Sequence, residues 1–382
     1  MPRLSGQTAL GHRCRRALQA GFLAALLAGA ATADEIPIGV HVNNPQWLEQ
    51  GARDRILDQL AAARVRLIRV PLVPAASSSY DPTLAFVASA FSRGISTLLV
   101  VPPQFPPGTK KRPRVPSDPD SWDVEPLSAQ SPEQLAEVLR PVMNAFEARK
   151  VRLAAIELGN EINWSPFNGD FPIPSPTSLF TREDLDGTPA GQRLAAGLRA
   201  YVRSAAVLKT MRSTWTINGD VPIVAAGLAD PAPSAGPSRF GGVAINTTLR
   251  LLRDAGLDAE VDFYGVHVYA SEADAWPLVA RHLADDVFKT CEPAGAATGK
   301  PCWLTEWAVV PRDKSCGADE AATAALTRRM LNSFSALTAA GRLGTVIYFD
   351  WSDPATPAAL TRCGRLTAIG ELITGTRLPA PQ

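Results

Sequence analysis

Two short segments of the sequence place glutamates where the chain otherwise has the pattern of a buried β-strand. Glu157-Leu-Gly-Asn-Glu161-Ile-Asn follows an apolar run, and Glu306 ends the run Cys302-Trp-Leu-Thr. Burying a carboxylate is costly unless it is paired or hydrogen-bonded, so these residues need a reason to be there. Two carboxylates facing each other across a cleft can cleave a glycosidic bond. One donates a proton to the leaving oxygen, and the other attacks carbon or activates water.

Other polar and aromatic residues lie at the ends of further strand-like runs. Together with Glu161 and Glu306 they form our set of candidate site residues, which comprises Asn160, Arg69, His267, Tyr269, Trp351, His41 and Asn43.

The elements that must position these residues follow a repeated pattern. Apolar runs rich in β-branched residues alternate with amphipathic stretches, which is typical of βα units and a parallel sheet. The eight predicted strands are residues 36–42, 65–70, 95–101, 153–158, 223–226, 261–268, 302–306 and 345–351.

Helical spacing of apolar residues follows the predicted strands. One helix start is well marked, because Ser131, Pro132 and Gln134 match an N-cap, a first-turn proline and the third position of a capping box. Later predicted helices span residues 192–211, 243–255, 276–289 and 320–340.

Eight strands each followed by a helix predict an α/β fold, a single (β/α)8 TIM barrel. A doubly wound open sheet is the alternative. It would be expected to carry a glycine-rich turn after the first strand, where this chain has His41-Val-Asn-Asn-Pro. In a barrel the loops after the strands build the active site. Residues 102–130 and 165–191 are long, proline-rich loops of this kind, with aromatic residues at positions 105, 122, 167, 171 and 180.

The first residues have the pattern of a secretory signal peptide. Residues 13–16 include three arginines, residues 17–28 are apolar, and Ala31-Thr-Ala33 offers small residues before Asp34. We therefore expect a signal peptide at 1–33, the barrel at 34–382, and a secreted or periplasmic protein. Export by the twin-arginine route is the alternative to the general route.

Composition limits the partners. A net charge of +1 and a hydrophobic share of 46% describe a soluble globular protein without a basic stripe for nucleic acid. There is no second apolar span, and we expect a monomer without a cofactor. A metal site is disfavoured, since His41, His267 and His282 form no paired His-x-His motif.

Four cysteines remain after residue 33. In an exported chain an even number suggests disulfides, and three connectivities are available. Cys291 with Cys302 and Cys316 with Cys363 is the preferred pairing, with four free thiols as the alternative. Zinc is disfavoured because no pair has the spacing of zinc ligands.

The strand ends resemble clan A of the retaining glycoside hydrolases. The resemblance is carried by Asn160-Glu161 after the fourth strand, Glu306 in Trp-Leu-Thr-Glu-Trp, His267-Val-Tyr269, Arg69 and Trp351. The run from Glu157 to Asn163 is similar to the E-x-W-N-E-P-N run of families such as glycoside hydrolase family 39, and family 5 is also near in motif.

This resemblance implies a role for each residue. Glu161 would be the acid/base and Glu306 the nucleophile. Asn160 would bind the sugar 2-hydroxyl, Arg69 and Tyr269 would orient Glu306, His267 would line the pocket, and Trp351 would stack under the sugar, with His41 and Asn43 as further contacts. Gly159, Ile162 and Trp307 depart from the family pattern.

The sequence therefore predicts a secreted retaining β-glycoside hydrolase acting on a poly- or oligosaccharide. In such an enzyme the two carboxyl groups would be about 5 Å apart. Two alternatives stay open, a non-catalytic carbohydrate-binding barrel and a metal-dependent barrel hydrolase. Glu157 is expected to be a buried anchor for Arg69 or a loop.

Overall fold

The computed structural model describes residues 36–75, 78–114, 122–173, 179–230, 241–316, 318–352 and 358–375. The expected signal peptide, residues 1–33, lies outside this part of the chain. None of the helices in the described ranges is long and apolar enough to cross a membrane.

Eight parallel strands form a closed barrel in chain order, since each strand pairs with the next and the first pairs with the eighth. The predicted (β/α)8 barrel is therefore confirmed. The strands are β1 Ile38–His41, β2 Leu67–Pro71, β3 Ser96–Val101, β4 Ala155–Asn160, β5 Ile223–Leu228, β6 Phe263–Ser271, β7 Cys302–Val310 and β8 Leu343–Tyr348.

Helices cover the outside of the barrel, and a short antiparallel pair follows β8, formed by β9 Thr361–Arg362 and β10 Arg365–Leu366. The α-helices are α1 Gln50–Ala62, α2 Asp81–Ser92, α3 Pro132–Ala148, α4 Arg182–Gly187, α5 Pro189–Arg212, α6 Ile245–Asp254, α7 Leu257–Glu260, α8 Trp276–Arg281, α9 Ala321–Ala339 and α10 Ala368–Thr374.

Helix starts follow the local sequence closely. Helix α3 begins at Pro132 as predicted, and the Ser131 hydroxyl accepts a hydrogen bond from the Gln134 amide at 3.1 Å. The predicted helix over 276–289 is helical throughout, but only its first part is an α-helix. After Arg281 the backbone continues as a π-helix and then a 3-10 turn.

The apolar core has two parts. A large cluster fills the space between the strands and the helices. A small second cluster fills the lower part of the barrel interior with side chains from five different strands, namely Leu98, Ala155, Val224, Trp303 and Ile347. Above this cluster, the part of the barrel interior near the carboxyl ends of the strands is occupied by polar side chains.

Strand β7 carries a bulge next to its glutamate. Val266 pairs with Leu304 and His267 pairs with Glu306, so Thr305 is an extra residue on β7. A bulge of this kind breaks the in-and-out alternation of side chains. As a result, Thr305 and Glu306 both reach polar groups inside the barrel although they are adjacent in sequence.

Two disulfides join the four cysteines in the preferred pairing. The Cα atoms of Cys291 and Cys302 are 5.4 Å apart, and those of Cys316 and Cys363 are 5.9 Å apart. The first bond fixes the start of β7, the strand that carries Glu306.

Candidate active site

A cavity of about 1010 Å³ opens at the carboxyl ends of the strands. Polar groups concentrate around Glu161 and Glu306, while the rest of the wall is mainly apolar. The polar lining residues are His41, Asn43, Asn44, Arg69, Asn160, Glu161, Asp230, Tyr269 and Glu306.

Glu306 is held as a carboxylate by its neighbours. One oxygen forms an ion pair with the Arg69 guanidinium, and the other accepts a hydrogen bond from the Tyr269 hydroxyl at 2.5 Å. Burial alone would raise the pKa of Glu306, but the positive charges on His267 and Arg69, with the hydrogen bond from Tyr269, lower it to about 2. Glu306 is therefore ionised at neutral pH.

Glu161 follows the last residue of β4 and has a left-handed backbone, with φ of 46°. Its amide donates to the Gly227 carbonyl at 2.8 Å, which fixes this turn. The turn breaks the alternation of β4, so that Asn160 and Glu161 both line the cavity. Burial raises the pKa of Glu161 and outweighs the hydrogen bond and the charge of His267, which lower it. The negative charge of Glu306 adds to the increase. The pKa of Glu161 therefore lies above the usual value for a glutamate, whereas that of Glu306 lies below it.

The two glutamates are close enough to act on one atom. One oxygen of Glu161, one oxygen of Glu306 and a ring nitrogen of His267 all lie within 4.8 Å of one another. Three such ligands could also hold a divalent cation. The guanidinium of Arg69, paired directly with Glu306, opposes a second positive charge there.

A chain of hydrogen bonds runs beneath the cavity from Glu161. The Nδ1 atom of His267 lies 2.9 Å from Glu161 Oε1, and its Nε2 atom lies 3.1 Å from the Thr305 hydroxyl. Because that hydroxyl donates to Glu157 at 2.8 Å, it must accept from His267, which places a proton on Nε2. The Nδ1 atom is then the atom that exchanges a proton with Glu161.

Burial lowers the pKa of His267, but the charges of Glu306 and Glu161 outweigh that effect and raise it. One proton is thus held between His267 and Glu161.

Arg69 continues this chain to the second glutamate. Its Nε donates to Glu157 at 2.6 Å and one terminal nitrogen donates to Asn160 at 2.8 Å, while the other pairs with Glu306. Glu157 also accepts from the Gly227 amide at 2.8 Å. Glu157 is fully buried below the cavity, as expected, and anchors Arg69.

His41 and Asn43 lie on the wall formed by β1. Burial and the charge of Arg69 lower the pKa of His41 to about 3, so its ring is neutral. The ring stacks on Phe349 with centroids 4.8 Å apart. The Asn43 side chain accepts a hydrogen bond from Asn44 at 2.9 Å. Both residues line the cavity as expected.

Two sequence-based expectations are corrected. His267 has no exposed surface and is not among the described lining residues, so it acts on Glu161 from below rather than lining the pocket. Trp351 is also fully buried and outside the lining. Strand β8 ends at Tyr348, three residues before Trp351, and at this strand end it is Phe349 that lines the cavity.

Sequence reasoning also missed residues at the site. Thr305 could be noticed only as the neighbour of Glu306, because the bulge that turns it inward leaves no pattern in the sequence. Trp47 and Trp164 had a usable signal, since each is an aromatic residue close after a predicted strand. Asn163 lies in the turn after β4, and its side chain also bonds to the backbone of Ala229 and Val243.

Gly227 is expected to tolerate no side chain. A Cβ atom there would lie 1.9 Å from His267 Nε2 and 2.6 Å from the Thr305 hydroxyl. Gly227→Ala should therefore lower the free energy of unfolding by about 1–3 kcal/mol, as overpacked sites do. Urea unfolding measures this. The control is Gly187→Ala, where nothing lies within 4 Å of the added atom. Equal urea midpoints for Gly227→Ala and Gly187→Ala would contradict this prediction, because they would show that the His267 ring moves aside without cost.

Comparison with known proteins supports the fold. No protein-family model and no curated protein matches the chain. Among solved structures, the exo-β-1,4-mannosidase Op5Man5 from Opitutaceae bacterium strain TAV5 superposes with a TM-score of 0.52 at 16% identity, over 89% of this chain. This chain spans 58% of the length of that mannosidase chain. A TM-score above 0.5 at this identity shows a shared barrel fold.

Two further solved structures have lower scores. A fungal β-1,4-galactanase gives a TM-score of 0.48 at 13% identity, covering 88% of this chain and 94% of its own. The endo-1,4-β-D-mannanase from Thermotoga petrophila RKU-1 gives 0.46 at 12% identity, covering 89% and 98%.

Proposed function

We propose that the chain is a secreted retaining β-glycoside hydrolase that acts on a poly- or oligosaccharide, with Glu161 as acid/base and Glu306 as nucleophile. One observation carries this proposal. Two buried carboxyl groups with oxygens within 4.8 Å of each other have pKa values shifted in opposite directions. Divergent pKa values in a carboxyl pair identify an acid and a base.

In the first step, a Glu306 oxygen attacks the anomeric carbon while the bond to the leaving oxygen breaks. The proton of Glu161 passes to that oxygen, leaving a glycosyl ester on Glu306 and a carboxylate at Glu161. In the second step, Glu161 takes a proton from water, whose oxygen attacks the same carbon and releases Glu306. The two inversions together retain the anomeric configuration.

Neighbouring side chains support both steps. Arg69 and Tyr269 hold Glu306 ionised and oriented before attack. His267 is a positioning residue that can hold the proton of Glu161. Asn160, fixed by Arg69, is available to the sugar 2-hydroxyl, a contact that strengthens as positive charge develops on the ring.

The nearest oxygens of the two carboxyl groups lie within 4.8 Å of each other, which supports retention over inversion. Retaining enzymes have carboxyl groups about 5–5.5 Å apart, whereas inverting enzymes need about 6.5–9.5 Å to admit a water molecule. Proton NMR of the first product released would test this directly. We expect the β-anomer from a β-linked substrate, and initial release of the α-anomer would contradict double displacement.

Assay of the wild type and Glu161→Gln on soluble β-glucans, mannans and xylans tests the activity itself. A non-catalytic carbohydrate-binding barrel is the second candidate, favoured only by the aromatic cavity wall. Binding without hydrolysis by the wild type would support that candidate. Hydrolysis by the wild type that is lost in Glu161→Gln would support the glycoside hydrolase.

The pH profile of kcat/KM should be bell-shaped. Activity needs ionised Glu306, so it rises as pH increases through about 2. It also needs a proton on the Glu161–His267 pair, so it falls as pH increases through their raised pKa. Glu161→Gln should lower activity by about 10²–10⁴-fold and remove the basic limb. A basic limb that persists unchanged in this variant would assign the proton donor elsewhere.

Export rests on the sequence pattern of residues 1–33 and is supported by the two disulfides, which persist in oxidising compartments. N-terminal sequencing of the protein recovered from medium or periplasm should begin at Asp34.

A further inference from the structure

Three aromatic side chains form one continuous face of the cavity, which we call the aromatic wall: Trp122, Trp164 and Phe167. The ring of Trp122 packs edge-on against Phe167 with centroids 5.0 Å apart, and Trp164 lies 6.1 Å from Phe167. Trp122 is 43% exposed. An exposed indole in a cavity wall is available to a ligand, and nothing in the proposed reaction of Glu161 and Glu306 uses it.

The aromatic wall begins at the proton donor. The Trp164 amide donates to the Glu161 carbonyl at 2.9 Å, and the Phe167 amide donates to the Trp164 carbonyl at 3.1 Å. Two members of the wall, Trp164 and Phe167, therefore lie in the loop that leaves Glu161, and Phe167 contacts the third, Trp122. Because Glu161 must approach the leaving oxygen, the group attached to that oxygen lies on this side of the cavity.

Backbone and side-chain bonds fix the two loops that carry the wall. Arg112 and Val124 form an antiparallel bridge with bonds of 2.8 and 3.0 Å in the loop after β3. The Arg112 guanidinium donates to the Ser165 hydroxyl at 2.9 Å and to its carbonyl at 2.6 Å in the loop after β4.

A second contact joins the same loops. The Gly169 amide donates to Glu125 at 3.0 Å, and a Cβ at Gly169 would lie 2.5 Å from the Val124 carbonyl. Ordering a loop on binding weakens affinity, so a wall already ordered in this way favours a ligand.

We propose that the aromatic wall is the binding subsite for the leaving group, and that it selects substrates whose leaving group presents a flat apolar face. This rests on the proposed assignment of Glu161 as proton donor. The face can be that of a pyranose ring in a longer saccharide or that of an aryl aglycone, since both stack on an indole or phenyl ring. The subsite would therefore prefer such glycosides over those with a small alkyl leaving group.

Binding can be measured apart from turnover in the Glu306→Gln background. Tryptophan fluorescence would be titrated with manno-, cello- and xylotetraose, with the 4-nitrophenyl β-glycosides of the same sugars, and with the methyl β-glycosides. The tetraoses report a sugar leaving group, the 4-nitrophenyl glycosides an aryl one, and the methyl glycosides neither.

Trp122→Ala and Phe167→Ala should each weaken binding of the tetraose or aryl glycoside by roughly 3- to 10-fold, the range of one aromatic contact, and leave the methyl glycoside unchanged. Phe91→Ala is the matched control, because Phe91 is 41% exposed on helix α2 and outside the cavity lining. It should change none of these constants.

Three results would overturn the subsite. They are unchanged tetraose and aryl-glycoside binding in both wall variants, equal weakening for the methyl glycosides, and no binding by any of these probes. Each is distinguishable from failure of the enzyme proposal, because wild-type hydrolysis of the same glycosides is scored separately. If the wild type hydrolyses these glycosides and Trp122→Ala has the same kcat/KM, the result would contradict the proposed subsite but not the proposed hydrolase activity.

Discussion

Replacing Glu306 with alanine is expected to reduce kcat on the order of 10⁶-fold, the scale seen when a catalytic nucleophile is removed. In the proposed mechanism no covalent intermediate forms without this carboxylate. The fold should survive, because Arg69 keeps Glu157 and Asn160 as partners. Steady-state rates on an aryl β-glycoside, with circular dichroism to verify folding, measure both effects.

Azide sharpens the test of Glu306. A small anion can enter the space left by the side chain and attack the anomeric carbon once, giving a glycosyl azide of inverted configuration. In Glu161→Ala, azide would instead attack the glycosyl ester and give the retained configuration. The control is Glu183→Ala, an exposed carboxylate on helix α4, which should behave as wild type. Wild-type rates in Glu306→Ala would assign the nucleophile to another residue.

Replacing Arg69 with methionine should cost about 3–5 kcal/mol of folding free energy, as when one partner of a buried ion pair is removed. Arg69 is 1% exposed and its charge compensates both Glu157 and Glu306. Methionine fills similar space without that charge, so the loss is electrostatic rather than a cavity effect. Denaturant unfolding at neutral pH gives the value.

The Arg69 prediction has a second readout and a matched control. Without the guanidinium, the pKa of Glu306 should rise, which moves the acidic limb of any residual activity to higher pH. Arg93→Met removes a partly exposed arginine paired with Asp58 at 3.0 Å, and should cost less than about 1 kcal/mol. Similar losses of folding free energy in Arg69→Met and Arg93→Met would show that the buried ion pairs of Arg69 contribute no more to stability than a partly exposed ion pair.

Much of the architecture could be predicted from periodicity alone. Apolar runs of strand length separated by helical spacing gave eight strands in the correct order, because burial on both faces leaves a strong pattern in a parallel sheet. Placing polar residues at strand ends then brought Glu161, Arg69 and Glu306 to one rim. This required no knowledge of distances, since a closed parallel barrel gathers those ends by geometry.

The remaining errors come from places where alternation fails. The bulge at Thr305 and the left-handed turn at Glu161 change which side chains point inward. Neither position is itself glycine or proline, although the left-handed Gly159 lies two residues before Glu161. The same limit explains Trp351. Its strand ended three residues early, so counting along the strand assigned to the tryptophan the position that Phe349 occupies. Burial of His267 depended on long-range packing and could not be read locally.

The backbone of Glu161 has an evolutionary consequence. Glycine adopts a φ of 46° at no steric cost, whereas other L-residues are disfavoured there by about 1–2 kcal/mol. Selection for stability alone would therefore favour glycine at this position. A lineage that had stopped needing turnover would be expected to drift toward glycine or asparagine and lose the carboxyl group early. If Glu161 is the proton donor, as proposed, selection for its carboxyl group would offset this backbone cost and retain glutamate at the position.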